Sequence, residues 1–355
     1  MALDGRADVG GWLGGSPILT GPRHWGRRFG GWFTWDFGFC SLLHNTHTPL
    51  ILGIEHTGSL PTFKSRPGRV LRPPLSPRPH CSTHQITTRK YDTMKIADRT
   101  FIISGGVSGL GLATARALHG QGAYVSLLDL NADNGAKTVS ELGSRAKFFE
   151  TDVTSTSAIA QAIKGTIGWV NETGKEIGGV IAGAGVGLPG LIIDKKNEPL
   201  SIESIDFVLN INLRGTLDLI RQALPHMTTA TPQGPDGERG VIIMIASSAA
   251  FDGQMGQVSY AASKGAVASL TLPLARDLSK YGIRAVTIAP SMFDSAMTRM
   301  MSNKVKKSLE NSMEFPKRAG LPEEFARLVI ECVGNEMLNG TVLRLDGAMR
   351  MPARL

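Results

Sequence analysis

The chain has 355 residues, 42% hydrophobic and 19% charged, with 42 glycines and 19 prolines, which suits one large α/β domain plus an extension or two modest domains. Its net charge of +8 does not mark a nucleic-acid binder, because residues 1–93 hold a disproportionate share of the arginines, Arg66, Arg69, Arg72 and Arg78 among them, and the rest is close to neutral. Cysteine is confined to Cys40, Cys81 and Cys332, which excludes a disulfide framework, and no apolar run is long enough for a membrane span, Asp36 interrupting the best early one.

Residues 1–93 carry four of the five tryptophans and scatter Gly, Pro and Arg without a period of 2.0 or 3.6 residues. This prefix is expected to be an irregular or disordered extension, with three readings: a mitochondrial targeting segment, a disordered tail, or sequence translated upstream of a later start. Asp4 and Asp8 count against a transit peptide, which is acid-poor. At Met94-Lys95-Ile96 a compact pattern begins, and one domain is expected over 94–355.

Strand and helix alternate from there. Strands are expected at 100–104, 123–129, 147–153, 178–184, 241–246, 284–289 and 341–345. Helices are expected from the Gly-rich turn to Leu118, and over 133–142, 155–172, 202–224 (closed by Pro225), 259–281, 305–313 and 322–334. Repeating β-α units of this kind predict a Rossmann-type doubly wound parallel sheet with helices on both faces. No internal repeat appears. His119 and His226 are the only histidines after position 93 and nothing pairs them at ligand spacing, so no metal site is expected.

Between the first strand and the first helix stands Ser104-Gly105-Gly106-Val107-Ser108-Gly109-Leu110-Gly111. Glycines there let the backbone approach a pyrophosphate, and the helix N-terminus supplies N–H donors and the positive dipole end. Asp129 closes the second strand, where a carboxylate can accept a hydrogen bond from a ribose 2′-hydroxyl; its alternative role is to cap the next helix. With no Lys or Arg in the turn or just after Asp129, NAD is preferred over NADP.

Ser259 to Gly265 reads S-Y-A-A-S-K-G, placing Tyr260 and Lys264 one helical turn apart on one face. At about 4–5 Å and an effective dielectric of about 20, an ammonium favours a phenolate by roughly 3–4 kcal/mol. That is about 2–3 pKa units, enough to bring a phenol near working pH. The bland alternative is a surface lysine beside a half-buried tyrosine.

Together the Gly-rich turn and Y-x-x-x-K resemble the short-chain dehydrogenase/reductase family over roughly residues 95–351. Segments such as Gly109-Leu110-Gly111-Leu112-Ala113-Thr114-Ala115, Ala249-Ala250-Phe251-Asp252-Gly253-Gln254 and Leu345-Asp346-Gly347-Ala348 are similar to its 3-hydroxyacyl-CoA dehydrogenase branch. The resemblance implies Tyr260 as acid/base, Lys264 as its tuner and a ribose contact, Ser247 as holder of the substrate oxygen, and Asn212 as support for a water-linked proton path. It places Gly105, Ser108, Gly109, Leu110, Gly111, Asp129, Asp152, Val153, Gly183, Phe293 and Ser295 around NAD. Bland alternatives remain for some: Asp152 as a helix cap, Phe293 as core, Ser247 as a strand end. The implied substrate is a 3-hydroxyacyl-CoA, with a hydroxysteroid as the rival, and the implied assembly is a homotetramer.

Ser104 and Ser295 stand where the family pattern has threonine, and two larger departures are Ala182, in place of an asparagine after the fourth strand, and Ser291, in place of a glycine after the sixth. The larger two keep open a non-catalytic NAD-binding protein as the reading from another class. Ala353-Arg354-Leu355 resembles a peroxisomal address of the S-K-L type, the alternatives being mitochondrial or cytoplasmic placement.

Overall fold

Stretches such as Thr-Phe-Ile-Ile-Ser and Gly-Val-Ile-Ile-Met-Ile are buried at every position, as strands covered on both faces must be. In the computed structural model, which describes residues 95–299 and 301–353, seven strands form one sheet. They are β1 (Thr100–Ser104), β2 (Tyr124–Asp129), β3 (Ala146–Glu150), β4 (Ile177–Ala182), β5 (Gly240–Ile245), β6 (Ile283–Pro290) and β7 (Val342–Leu345). Their order is β3-β2-β1-β4-β5-β6-β7, and every pairing is parallel. The winding direction reverses between β1 and β4, which opens a crevice at the carboxyl ends of the central strands. The doubly wound sheet expected from the sequence is the observed fold. The extension assigned to 1–93, and Arg354 and Leu355 of the terminal tripeptide, lie outside the described residues.

Ten helices are described: α1 (Gly109–Gly120), α2 (Ala132–Leu142), α3 (Thr156–Thr173), α4 (Ile202–Leu209), α5 (Thr216–Met227), α6 (Val258–Ser269), α7 (Thr271–Leu278), α8 (Ala296–Arg299), α9 (Asn303–Asn311) and α10 (Pro322–Gly334). Alternate residues of the strands point to opposite faces, and two apolar clusters follow. Phe101 and Ile103 join Leu118 of α1 and Phe325, Val329 and Val333 of α10. Ile102 joins Ile159 and Ile163 of α3 and Leu219 and Ala223 of α5 on the other face.

Two expected helices are broken. The run 202–224 is divided by a π-helical turn at Asn210–Gly215, and Pro225 does not close it, since α5 continues to Met227. The extra residue in a π turn re-aims side chains, and such turns gather at functional sites. The run 259–281 ends its first helix at Ser269 and resumes as α7, with a 3₁₀ turn at Ser279–Tyr281. Among the described residues no helix is long and apolar enough to cross a membrane.

The right-hand half of the sheet is tied by a buried arginine. Arg284 of β6 donates to Glu238 at 2.8 Å and to the carbonyls of Cys332, Val333 and Leu338 at 2.8–2.9 Å, satisfying the C-terminal end of α10. Lys95 pairs with the same Glu238 at 2.5 Å, so the start of the domain is fastened to the segment that leads into β5.

Candidate active site

β5 ends at Ile245, and the chain stays extended through Ser247 (φ −164°, ψ 156°) before a short 3₁₀ turn at Ser248–Ala250. The Ser247 hydroxyl accepts from the Ala249 N–H at 3.1 Å and stands near enough to the Tyr260 phenol to draw its pKa down. α6 carries Tyr260 and Lys264 toward the same strand end. Lys264 Nζ donates to the Ile245 carbonyl at 2.8 Å and lies 5.9 Å from the centroid of the Tyr260 ring. The three residues expected to act together are therefore brought together.

Their electrostatics differ from the expectation. Burial pushes the Tyr260 phenol up, and only the Ser247 hydroxyl pulls it back down. Lys264 is itself 5% exposed, and burial lowers its ammonium to about 8. A well-screened, fully charged ammonium would favour the phenolate, but in the folded chain desolvation opposes the charged form of both groups. Ligand-free, the phenol is held protonated.

Asn212 is fully buried in the π turn, and its amide is engaged on three sides. Oδ1 accepts from Val186 N–H at 2.8 Å, while Nδ2 donates to the Val186 carbonyl at 2.9 Å and to Ser263 Oγ at 3.0 Å. Ser263 Oγ donates in turn to the Tyr260 carbonyl at 2.7 Å. Both amide hydrogens are thus occupied, so the side chain acts as a clamp between the loop after β4 and α6. Ser263 escaped the sequence reading, although its place between Tyr260 and Lys264 was its only signal. Asn212 Oδ1 and Lys264 Nζ border one small space: a Cβ on Gly185 would stand 3.2 Å and 3.3 Å from them.

The cofactor residues line the other side of the crevice. Gly105 (φ +66°) presses so close to the loop after β4 that a Cβ there would lie 3.0 Å from the Ala184 nitrogen. Ser104 Oγ accepts from the N–H groups of Gly183 and Ala184 at 3.1 and 3.2 Å, fixing that approach. α1 has no acidic residue in its first turn and no side-chain cap from Ser108, so its N–H groups face outward beside Gly109 and Leu110, while Gly111 packs beneath. Asp129 accepts from Val107 N–H at 3.3 Å and Asn131 N–H at 3.1 Å. The cap of α2 is Asn131, not Asp129. Asp152 closes an Asx turn on Thr154, and Ser155 caps α3. Val153 is buried under Gly215, where a Cβ would meet the Val153 carbonyl at 2.8 Å. Ser295 is braced by Thr298, whose hydroxyl accepts from the Ser295 N–H at 2.9 Å. Phe293 belongs to the core: its ring is 5% exposed and stands edge-on to Phe325 at 6.1 Å, leaving only its backbone for a ligand. An uncapped helix start, a backbone cradle and a carboxylate at the end of β2 fit a dinucleotide with a free ribose 2′-hydroxyl. Cys332 offers no nucleophile, since burial pushes its thiol up to about 12.

The depressed lysine makes the ligand-free chain pH-sensitive. A folded pKa below the unfolded one penalises the native state fully below pH 8, and the penalty lifts as pH rises toward the unfolded value of 10.5. Relative to Lys264→Met, the unmodified chain should gain about 3 kcal/mol of unfolding free energy between these limits. Urea unfolding of both proteins across that range measures it; a difference independent of pH would show that the ammonium is not desolvated.

Comparison with known proteins places this geometry. The short chain dehydrogenase family matches residues 99–306. The human protein called 3-hydroxyacyl-CoA dehydrogenase type-2 is 43% identical over 254 residues, 70% of this chain and 94% of that protein. Its namesake in Drosophila melanogaster is 43% identical over 259 residues, 72% of this chain and 99% of the other. A crystal structure of 3-hydroxyacyl-CoA dehydrogenase type-2 from Mycobacterium avium superposes with a TM-score of 0.68 at 35% identity, covering 73% of this chain and 99% of that one. With its Gly-rich turn, its Ser247, Tyr260 and Lys264 gathered at the end of β5 and these relatives spanned almost end to end, the chain belongs to the short chain dehydrogenase family.

Proposed function

We propose that this oxidoreductase interconverts a 3-hydroxyacyl-CoA and a 3-oxoacyl-CoA, with NAD(H) as the hydride carrier. The observation that carries the reading is the convergence of Ser247, Tyr260 and Lys264 at the carboxyl end of β5, with Lys264 anchored on the Ile245 carbonyl and 5.9 Å from the Tyr260 ring. The names of its relatives support the substrate class. Ser108, Gly109, Leu110, Asp129 and Ser295 would hold the dinucleotide, which when bound supplies the hydride acceptor in one direction and the donor in the other.

The chain's own residues handle the oxygen and its proton. Ser247 hydrogen-bonds the substrate oxygen and Tyr260 exchanges the proton with it, accepting in oxidation and donating in reduction. Because burial keeps the phenol protonated, Tyr260 starts as an acid, the form that reduction of a 3-oxo group requires. Lys264 can lend an N–H to a ribose while its other donor stays on Ile245. The loop that Asn212 clamps at Val186 continues into Leu188, Leu191, Ile192 and Ile193, all exposed, an apolar surface suited to an acyl chain.

Tyr260→Phe should lower turnover of acetoacetyl-CoA with NADH by at least about 10²-fold, the scale of a lost acid/base group, with NADH binding little changed. Lys264→Ala should harm both. Retained activity in Tyr260→Phe, or turnover of hydroxysteroids alone by the unmodified chain, would overturn the reading.

Asp129 at the end of β2 is followed by Leu130, 65% exposed, where a 2′-phosphate would need a cation. NAD should therefore be preferred over NADP by at least about tenfold, or 1.4 kcal/mol, in kcat/KM. Parity between the two would remove Asp129 from the ribose site.

The same reading includes a homotetramer and a peroxisomal address in fatty-acid oxidation. Exposed Ile202, Phe207 and Leu217 on α4 and α5 support association, and the terminal Ala-Arg-Leu supports the address. Light scattering that returns a monomer, or import surviving deletion of Leu355, would count against each.

A further inference from the structure

Leu345-Asp346-Gly347-Ala348 is a feature that neither the cofactor nor the proton chemistry uses, and beside it one arginine ties its own turn to the loop after Ser247. Arg344 of β7 donates from Nε to Asp346 at 2.6 Å, donates from Nη2 to the Met349 carbonyl at 3.2 Å, and pairs through Nη2 with Asp252. Its guanidinium also lies over the Phe251 ring, 5.2 Å from the centroid. Gly347 and Ala348 both adopt φ of 57°, winding the chain back so that the Asp346 carboxylate and the Met349 carbonyl meet the same guanidinium. For Ala348 that left-handed conformation is sterically costly, so the turn is held by its surroundings. The side chains of Arg344, Asp252 and Asp346 are only 23%, 19% and 9% exposed, which shields their pairing from solvent.

Asp252 and Phe251 lie between the two catalytic hydroxyls. On the upstream side, Phe251 N–H and Asp252 N–H both donate to the Ser248 carbonyl at 3.0 and 2.9 Å, and Ala250 N–H donates to the Ser247 carbonyl at 3.0 Å. On the downstream side, Gln254 Nε2 donates to the Pro352 carbonyl at 2.9 Å and Met255 N–H to the Ala353 carbonyl at 3.2 Å, just before α6 begins. The loop joining Ser247 to Tyr260 therefore has its tether in the C-terminal segment, and the strongest point of that tether is the Arg344–Asp252 pair.

We infer that Arg344 is a positioning residue: acting through Asp252, it sets Ser247 against Tyr260 and so fixes the hydrogen bond with which the pair grips the substrate oxygen. The inference rests on the proposed roles of those two hydroxyls. A planar fork that must reach two carboxylates and a carbonyl at once specifies geometry as well as charge.

The test uses the full chain with acetoacetyl-CoA and NADH. Arg344→Gln and Asp252→Asn should each lower kcat about tenfold while KM stays within about twofold, the signature of a misaligned site rather than a lost binding contact. The double variant should lose no more than either single one, because both break the same contact. The pKa governing kcat should move upward in each, since the Ser247 hydroxyl is what draws the phenol down. Unchanged kcat and pH profile in soluble variants, multiplicative losses in the double variant, or a parallel loss of NAD affinity would overturn the inference. If Arg344→Gln does not fold, Asp252→Asn decides alone, since it leaves the Arg344–Asp346 pair in place. Inactivity of the unmodified chain on acetoacetyl-CoA would count against the substrate and not against the tether. The upward shift is then read by ultraviolet titration of Tyr260, taken as the difference from Tyr260→Phe.

Discussion

The arrangement of the crevice depends on one saturated carboxamide. Asn212 joins the Val186 backbone, after β4, to Ser263 in α6, and so fixes the distance between the substrate-side loop and the helix that carries Tyr260 and Lys264. An ordinary α-helix over 202–224 would not deliver the amide there; the π turn does, and Gly215 at its end lets the helix settle against the Val153 carbonyl. One local irregularity thereby serves both halves of the site. It sets the active helix on one side and closes the floor beneath the cofactor residues on the other.

Within that frame, burial rather than ion pairing governs the two titrating groups. A phenol and an ammonium that attract each other in water are here both pushed toward neutrality. The site is thus poised: any positive charge brought beside Tyr260, or any anionic oxygen brought beside Lys264, restores part of what desolvation removed. A crevice of this kind responds to its ligands more strongly than a solvated one, because the same charge acts across a less polarisable medium.

The βα rhythm was legible because parallel strands buried on both faces read as short continuous apolar runs, and β1 and α10 were placed to the residue. Tyr260 and Lys264 were legible through their spacing along one helix, and Ser247 through the resemblance to the family. What spacing could not carry was anything decided by a partner far away in sequence. The break at Leu270 and the continuation of α5 through Pro225 are tertiary outcomes, as is the burial that reversed the expected shift of Tyr260. Phe293 sits next to a cofactor position in sequence, yet its ring was claimed by Phe325, more than thirty residues on. Arg344 looked like an ordinary strand residue until its fork met Asp252 and Asp346.

The two larger departures from the family pattern are absorbed by neighbours, which bears on whether the chain is a working enzyme. Ala182 brings no amide to steady the end of β4, but Ser104 reaches across from β1 and accepts from both Gly183 and Ala184. The strand end is pinned from the side instead of from within. Ser291 stands where a glycine is usual, yet its backbone is not left-handed, and its N–H donates to the Leu345 carbonyl at 3.1 Å. A side chain there costs no strain, and the turn is held by β7, the strand that also bears Arg344. Both replacements therefore shift support onto contacts that the fold already makes, and neither touches the hydroxyls of Ser247 and Tyr260. A chain that had abandoned catalysis would be under no physical constraint to keep a buried, singly bonded ammonium at Lys264, which the folded state carries at a cost in stability.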